Sequence, residues 1–230
     1  MHPARRRGRT VEERRVRVGL AGFGVVGSGV AKLILEEADS IAAKMGVRPE
    51  LACVVDMDLE RSRPVQLPPG LLTNDLNRLL NDPSITIGIE LVGGTGVAKE
   101  IQLKMLRAGK HVVTANKALL AKHGAELYQA ARETGRCIAF EASCVGGVPI
   151  IGAIRMGLSA NQIGAMYGIV NGTCNYILSN MSSQDEKFSH ALSKAQKRGF
   201  AEADPTLDIS GGDSAHKLAI LASIAFGCEI

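Results

Sequence analysis

Short apolar runs alternate with longer segments of helical spacing along most of the chain. An apolar run of strand length, followed by apolar residues three and four apart, is typical of a strand and the helix that returns beside it. Repetition of that unit predicts an α/β fold with a parallel sheet. The predicted strands are residues 16–22, 50–56, 85–94, 111–116 and 137–143, and the predicted helices are residues 26–44, 99–108 and 118–133.

The alternation changes after residue 143, where a glycine-rich turn precedes a helix from about Pro149 and a strand-like run at 163–172. Mostly helical spacing follows, so we predict a domain boundary near Val145. Three prolines and a glycine within residues 64–72 predict a surface loop there. The predicted organisation is a disordered basic leader at 1–15, a first α/β domain at 16–144 and a second, partial α+β domain at 145–230.

The composition is that of a globular protein whose core is built from small aliphatic side chains. Hydrophobic residues make up 46% of the chain and aromatic residues only 3%, while 26 glycines permit close backbone approaches. The net charge of +4 arises in the leader, because residues 1–17 carry +5 and the rest of the chain sums to −1. The charge therefore gives no indication of nucleic-acid binding.

The five cysteines indicate a reducing compartment, because their number is odd and they form no CxxC pair or zinc-like spacing. No apolar stretch reaches the ~18 residues that a membrane span requires. The leader also contains no apolar segment that could serve as a signal peptide. We therefore expect a soluble, cytoplasmic protein without a membrane partner.

A glycine-rich turn, Gly22-Phe23-Gly24-Val25-Val26-Gly27, lies where the first predicted strand meets the first helix. In that context GxGxxG predicts a dinucleotide pyrophosphate at the helix N-terminus. The first glycine allows the tight turn, the second lets the backbone approach the phosphates, and the third lets the helix lie close to the strand. The motif favours a Rossmann-type doubly wound sheet that binds NAD or NADP, with an ordinary glycine-rich turn as the alternative.

Asp56 ends the second predicted strand, where a carboxylate can accept hydrogen bonds from the adenosine ribose and repel a 2′-phosphate. This position slightly favours NAD over NADP. Asp56 lies 29 residues beyond Gly27, whereas about 20 is usual, so the connection must be extended. Arg61 and Arg63 offer a phosphate an alternative contact, and both cofactors remain open.

Six short motifs occur in order along the chain. They are GGT at 93–95, VTANK at 113–117, EAS at 141–143, NGT at 171–173, EADPT at 202–206 and GGDSAHK at 211–217. Together they resemble the homoserine dehydrogenase family, and the similarity runs from residue 16 to the C-terminus.

The resemblance implies an NAD(P)-dependent oxidoreductase that interconverts aspartate 4-semialdehyde and homoserine, a step in threonine, methionine and isoleucine biosynthesis. It implies catalytic roles for Lys217, Asp213 and Lys117, with Lys117 between the nicotinamide and the substrate. It assigns the substrate ammonium group to Glu202. The further implied contacts are Lys117, Asp208 and Thr173 for substrate, and Gly94, Thr95 and Lys117 for cofactor.

Asp213 and Lys217 also make chemical sense without the resemblance. They are four residues apart on a segment of helical spacing, so both side chains project from one face. The carboxylate would hold the ammonium charged and oriented, and the lysine could polarise an aldehyde and donate a proton as hydride arrives. A plain surface ion pair is the alternative, which the residues alone favour and the resemblance disfavours.

The resemblance further implies a monovalent cation at the turn after EAS, held by Glu141 and by backbone oxygens of Cys144, Gly146 and Val148. Val145 stands where we expect a glycine, so a positive φ at that residue would strain the turn.

Cys144 permits a different activity, that of an aldehyde dehydrogenase with a cysteine nucleophile. Such a cysteine requires a histidine base and hydroxyl-bearing neighbours, but Val-Gly-Gly-Val follows it here.

The chain stops inside or just after a helix that continues into further sequence in the family. We therefore expect a truncated chain, and a cofactor-binding fragment without turnover remains an alternative. The apolar run at 163–170 and the helices after it are expected to leave an exposed apolar face that pairs with a second copy as a homodimer.

Overall fold

The structure, a computed structural model, describes residues 14–228. Most of the predicted leader therefore lies outside the described residues. Arg14 and Arg15, its last two residues, belong to the first strand and pair with Val47 and Arg48. The first strand thus begins two residues earlier than predicted.

The centre of the fold is a six-stranded sheet in which every strand pairing is parallel. Its order, β3-β2-β1-β4-β5-β6, reverses direction between β1 and β4. That is the order of a doubly wound dinucleotide-binding sheet, whose ligands lie beyond the carboxyl ends of the strands at the reversal. The strands are β1 (Arg14–Ala21), β2 (Val47–Val55), β3 (Leu72–Thr73), β4 (Ile85–Glu90), β5 (His111–Thr114) and β6 (Ile138–Ala139).

The longer helices begin and end at residues suited to those positions. The Asn116 side chain caps the start of α4, and Gly46 and Gly135 end α1 and α4 in the left-handed conformation. The helices of the first domain are α1 (Val25–Met45), α2 (Asn77–Leu80), α3 (Val97–Arg107) and α4 (Lys117–Thr134). Those of the second are α5 (Ile150–Gly152), which runs into a π-helical turn (Ala153–Gly157), α6 (Gly172–Gln184), α7 (Phe188–Lys197), α8 (Thr206–Ile209) and α9 (Gly212–Phe226).

Helix α9 packs against α4, which brings the second part of the chain onto the first. Leu119 and Leu120 of α4 share one buried cluster with Ile220 and Leu221 of α9. Both helices start near the carboxyl edge of the sheet. Their packing therefore places the N-terminal residues of α4 and α9 side by side.

Two predicted strands differ from the structure. The segment 137–143 pairs only at Ile138 and Ala139 and then forms a 3₁₀ turn, Glu141–Ser143, because Glu141 leaves the sheet edge to bind the start of α5. The predicted run at 163–172 forms no strand, and its last residue, Gly172, begins α6. A strand requires a hydrogen-bonded neighbour, and no described strand lies beside this run.

Among residues 14–228 there is no helix with the length and apolar character needed to cross a membrane.

Candidate active site

The glycine-rich turn leaves a backbone cradle at the start of α1. Gly22 has φ +95°, and a Cβ there would lie 2.5 Å from the Leu91 carbonyl carbon; a Cβ on Gly27 would lie 2.0 Å from the Gly22 oxygen. A Cβ on Gly24, by contrast, would meet nothing within 4 Å. The first turn of α1 carries no acidic residue and no side-chain cap. Its free N–H groups and open space fit a dinucleotide pyrophosphate.

Asp56 follows β2 and is bonded to this turn. One carboxylate oxygen accepts the Phe23 backbone N–H at 2.6 Å, and the other lies 3.3 Å from an Arg63 guanidinium nitrogen. Arg63 also donates from Nε to the Phe23 carbonyl oxygen at 2.8 Å, and it lies over the Phe23 ring at 4.8 Å. The predicted ribose-binding acid therefore has a cation beside it, which offsets part of the repulsion that would exclude a 2′-phosphate.

Two lysines from different helices meet at one carboxylate. Lys117, the first residue of α4, places Nζ 2.7 Å from Asp213 Oδ1, and Lys217 of α9 places Nζ 2.7 Å from Asp213 Oδ2. The Asp213 side chain is 5% exposed, whereas Lys117 is 32% exposed and Lys217 16%. Both lysine side chains are thus partly exposed while their shared anion is buried.

Lys217 is held by a second acceptor. Its Nζ donates to the Val170 carbonyl oxygen at 2.7 Å as well as to Asp213. An ammonium group has three N–H donors, so one remains for another acceptor. This geometry fits an oriented donor better than the freely solvated ion pair that was the alternative from sequence.

The Asp213 carboxyl stays ionised over most of the pH range. Burial raises its pKa, but hydrogen bonds from Lys117, Lys217 and Asn171 outweigh that effect and hold the pKa at about 2, below the ordinary 3.8. Because the folded value is the lower one, ionised Asp213 stabilises the fold above about pH 4. That contribution is lost as the pH falls towards 2.

Asn171 connects the cluster to the rest of the second domain, a role that the sequence analysis missed. Its Nδ2 donates to Asp208 Oδ1 at 2.8 Å and to Asp213 Oδ2 at 2.9 Å, and its Oδ1 caps α6 by accepting the Cys174 N–H. The available signal was an Asn before a Gly at the start of a helical segment, which is typical of an N-cap. Asn171 brings the predicted substrate residue Asp208 to the lysine cluster.

Two other residues predicted to bind substrate, Thr173 and Glu202, differ in their surroundings. Thr173, in the first turn of α6, is 8% exposed, and its hydroxyl donates to the Phe200 carbonyl oxygen at 2.6 Å. Glu202 lies in the loop between α7 and α8, with its residue exposed and its carbonyl oxygen accepting from Gln196. Thr173 thus makes a bond within the fold, whereas Glu202 lies at the surface.

The GGT loop approaches the start of α4. Gly93 and Gly94 have φ +81° and +70°, conformations that favour glycine. Asn116 Nδ2 donates to the Gly94 carbonyl oxygen at 2.7 Å. The predicted cofactor residues Gly94 and Thr95 therefore lie beside the helix that begins with Lys117.

In the turn predicted to bind a cation, the carboxylate of Glu141 is hydrogen-bonded to backbone groups. Glu141 accepts the Ile151 and Gly152 N–H groups at 2.9 and 2.8 Å, one on each oxygen. Val145 has φ +46°, the strained conformation that its side chain disfavours. No group of three or more His, Cys, Asp or Glu in residues 14–228 is arranged to hold a metal. The predicted site, with one carboxylate and backbone oxygens, is of a different kind, and both Glu141 oxygens already accept backbone N–H groups, so the cation site stays a prediction.

Cys144 does not have the surroundings of a nucleophile. It is 0% exposed, burial raises the pKa of its thiol, and its Sγ lies 3.9 Å from the Lys217 carbonyl oxygen. A nucleophilic cysteine needs an accessible thiolate. The structure therefore disfavours the cysteine-dependent aldehyde dehydrogenase.

Comparison with known proteins decides the family. A sequence profile of the homoserine dehydrogenase NAD binding domain matches residues 22–141, and a second homoserine dehydrogenase profile matches residues 149–230. The chain belongs to the homoserine dehydrogenase family. The Rossmann-type fold and the NAD(P)-binding domain predicted from sequence are confirmed.

Individual relatives agree with this family. The chain is 44% identical over 215 residues to homoserine dehydrogenase from Bacillus subtilis, which covers 94% of the chain and 50% of that protein. It superposes on a homoserine dehydrogenase crystal structure from Thiobacillus denitrificans with a TM-score of 0.84 and 44% identity, over 93% of this chain and 49% of the other. A hyperthermophilic archaeal homoserine dehydrogenase in complex with NADPH gives a TM-score of 0.77 at 25% identity, over 94% and 71% of the two chains. The chain spans about half the length of the curated relatives it matches.

Proposed function

We propose that this chain provides the nucleotide-binding and catalytic residues of an enzyme that reduces aspartate 4-semialdehyde to homoserine reversibly with NADH or NADPH. The observation that carries the proposal is the carboxylate of Asp213 between the ammonium groups of Lys117 and Lys217. Membership of the homoserine dehydrogenase family supplies the reaction. The location also agrees, because α4 and α9 start at the carboxyl edge of the doubly wound sheet, where such sheets bind their ligands.

The nicotinamide supplies the hydride for this reaction when the cofactor is bound. The residues of the chain bind the reactants and move a proton. The N–H groups at the start of α1 hold the pyrophosphate, and Gly94 and Thr95 line the side of the pocket near α4. Lys217 polarises the aldehyde oxygen and gives it a proton as negative charge develops there. In the reverse direction the neutral amine accepts that proton from homoserine.

Asp213 orients both lysines through its two carboxylate oxygens. It is already ionised at any pH above about 4, since its pKa is about 2. Lys117 lies on the other carboxylate oxygen, at the start of the helix next to the GGT loop, and we assign it the position between nicotinamide and substrate. Its charge there also suits the substrate carboxylate.

We assign the substrate ammonium group to Glu202 and a neighbouring polar contact to Asp208. Replacement of Glu202 by Gln is expected to raise KM for homoserine at least about tenfold, because a charge-assisted hydrogen bond is lost. Nucleotide affinity should not change, which distinguishes a substrate contact from misfolding. Glu60→Gln, on an exposed loop residue, is the control. An unchanged KM in Glu202→Gln would remove this assignment.

Cofactor preference is expected to depend on Asp56. NADH should serve at least as well as NADPH, and Asp56→Ala should shift the ratio of kcat/KM towards NADPH by relieving charge repulsion. Arg63→Ala is the matched opposite change, because it removes the cation next to Asp56 and should shift the ratio towards NADH. Steady-state kinetics with both nucleotides measure the two ratios. Exclusive use of NADPH, with no shift in Asp56→Ala, would show that the ribose assignment is wrong.

A homodimer is expected through the apolar groove of the second domain, lined by residues that include Met166, Leu178 and Leu218. Tyr167 and Ile169 beside it are 96% and 72% exposed, and large exposed apolar surfaces favour association. The run at 163–170 lacks a pairing partner among the described strands, so a second copy could supply one. Light scattering at micromolar concentration should give twice the monomer mass. A clean monomer would count against the dimer.

The proposed reaction is tested by the oxidation of homoserine with NAD⁺ or NADP⁺, followed by nicotinamide absorbance. Turnover is expected with homoserine and much less with 4-hydroxybutyrate, which has the same alcohol and carboxylate but no ammonium group. Binding of nucleotide without turnover of homoserine would favour the alternative of a cofactor-binding fragment.

A further inference from the structure

Glu90 is a buried acid that the proposed reaction does not use. It is the last residue of β4 and is 0% exposed. One oxygen accepts the backbone N–H groups of Val92 at 2.8 Å and Gly93 at 3.3 Å. The other accepts Gln102 Nε2 at 2.7 Å and Thr114 Oγ1 at 2.9 Å. A buried carboxylate is tolerated only when it is bonded in this way.

Three of the four bonds join two segments that border the proposed active site, and the fourth, from Gln102, comes from α3. Val92 and Gly93 lead into the GGT loop, and Thr114 ends β5. Thr114 Oγ1 uses its hydrogen for Glu90 and accepts the Asn116 backbone N–H at 3.1 Å. A continuous set of hydrogen bonds therefore runs from Glu90 through Thr114 to Asn116.

Asn116 closes the connection. Its Nδ2 donates to the Gly94 carbonyl oxygen at 2.7 Å, and its Oδ1 accepts the Leu119 N–H at 3.1 Å, which caps α4. The next residue is Lys117, whose ammonium binds Asp213. The GGT loop and the first turn of α4 are thus fixed to each other twice, directly by Asn116 and through Glu90.

We propose that Glu90 is a positioning residue for the nicotinamide end of the cofactor site. It sets the GGT loop and the start of α4 in the arrangement that receives the nucleotide, and it acts through Thr114 and Asn116 without touching a reactant. This inference rests on the proposed function. A carboxylate suits this place, because an amide of the same shape has one acceptor oxygen and would direct its N–H groups at Gln102 Nε2 and Thr114 Oγ1, which donate here.

The test compares nucleotide affinity with stability in the same variants. NADPH fluorescence titration gives the dissociation constant, and thermal unfolding gives Tm. Glu90→Gln and Thr114→Val should each weaken NADPH binding roughly fivefold or more, the size of a lost hydrogen bond. Thr114→Ser keeps the hydroxyl and should bind within about twofold of the unchanged protein. If Glu90→Gln does not fold, the Thr114 pair still decides the question.

Two controls separate positioning from stability. Met105→Ala, at a 0% exposed residue of α3, should lower Tm by creating a cavity and leave the NADPH dissociation constant unchanged. Both changes break the same hydrogen-bond network, so their effects should not add. The double variant Glu90→Gln/Thr114→Val should therefore bind NADPH about as tightly as whichever single variant has the higher dissociation constant. NADPH binding that is unchanged in Glu90→Gln, or equally weakened in Met105→Ala, would overturn the inference. Absence of NADPH binding by the unchanged protein would instead overturn the proposed function.

Discussion

Replacement of Lys217 by Ala is expected to lower kcat by about 10²- to 10⁴-fold with little change in KM. A proton donor acts in the transition state, and loss of general-acid help costs roughly that much. The geometry supports this role, because Asp213 and the Val170 carbonyl hold the ammonium at 2.7 Å each. Steady-state kinetics in both reaction directions, on protein with measurable turnover, provide the values.

Two further variants make the Lys217 result specific. Lys217→Arg keeps the positive charge but holds its proton too tightly to donate it, so it should rescue little of kcat. Lys32→Ala is the control, because Lys32 forms an i,i+4 pair with Glu36 like that of Lys217 with Asp213, but on an exposed face of α1. Near-native kcat in Lys217→Ala would show that the Asp213–Lys217 pair is only a structural contact. The proton would then come from Lys117 or a water.

Replacement of Gly27 by Ala is expected to weaken nucleotide binding at least about tenfold and to lower stability by about 1–3 kcal/mol. Its new Cβ would lie 2.0 Å from the Gly22 backbone oxygen, so α1 must move away from the glycine-rich turn. The N–H groups at the start of α1 would move with it. Fluorescence titration with NADH and NADPH measures the loss of affinity.

Gly29→Ala is the matched control in the same helix. A Cβ there would meet nothing within 4 Å, and Ala is favoured over Gly in a helix by roughly 0.5–1 kcal/mol. This variant should bind nucleotide normally and be slightly more stable. If Gly27→Ala also bound nucleotide normally, the cradle at α1 would not be the pyrophosphate site.

The central sheet was predictable because buried parallel strands tend to be apolar runs, and five of the six strands lie in such a run, although β6 pairs over only two residues of its run. The sixth, β3, has two residues, and α2 has four. Elements that short have no periodicity to detect. The run at 163–172 shows the opposite case. Its pattern favours extended backbone, but a strand also needs a neighbouring strand to pair with, which the pattern cannot provide.

Part of the site followed from spacing and part did not. Asp213 and Lys217 are four residues apart in one helix, so their pairing could be predicted. Lys117 lies on another helix and meets Asp213 only because α4 packs against α9. Glu90 could be noted as an acid at the end of a buried strand, but its partners Gln102 and Thr114 come from two other elements. Long-range contacts of this kind depend on the packing of the whole fold.

Transfer of deuterium from labelled cofactor tests the central claim most directly. The protein is incubated with aspartate 4-semialdehyde and NADH or NADPH that carries deuterium on one face of nicotinamide C4, each face in turn, and homoserine is analysed by mass spectrometry. The proposal predicts homoserine with one deuterium at C4 from one labelled face and none from the other. Homoserine without deuterium from either face, or nucleotide bound and no homoserine formed, would contradict it.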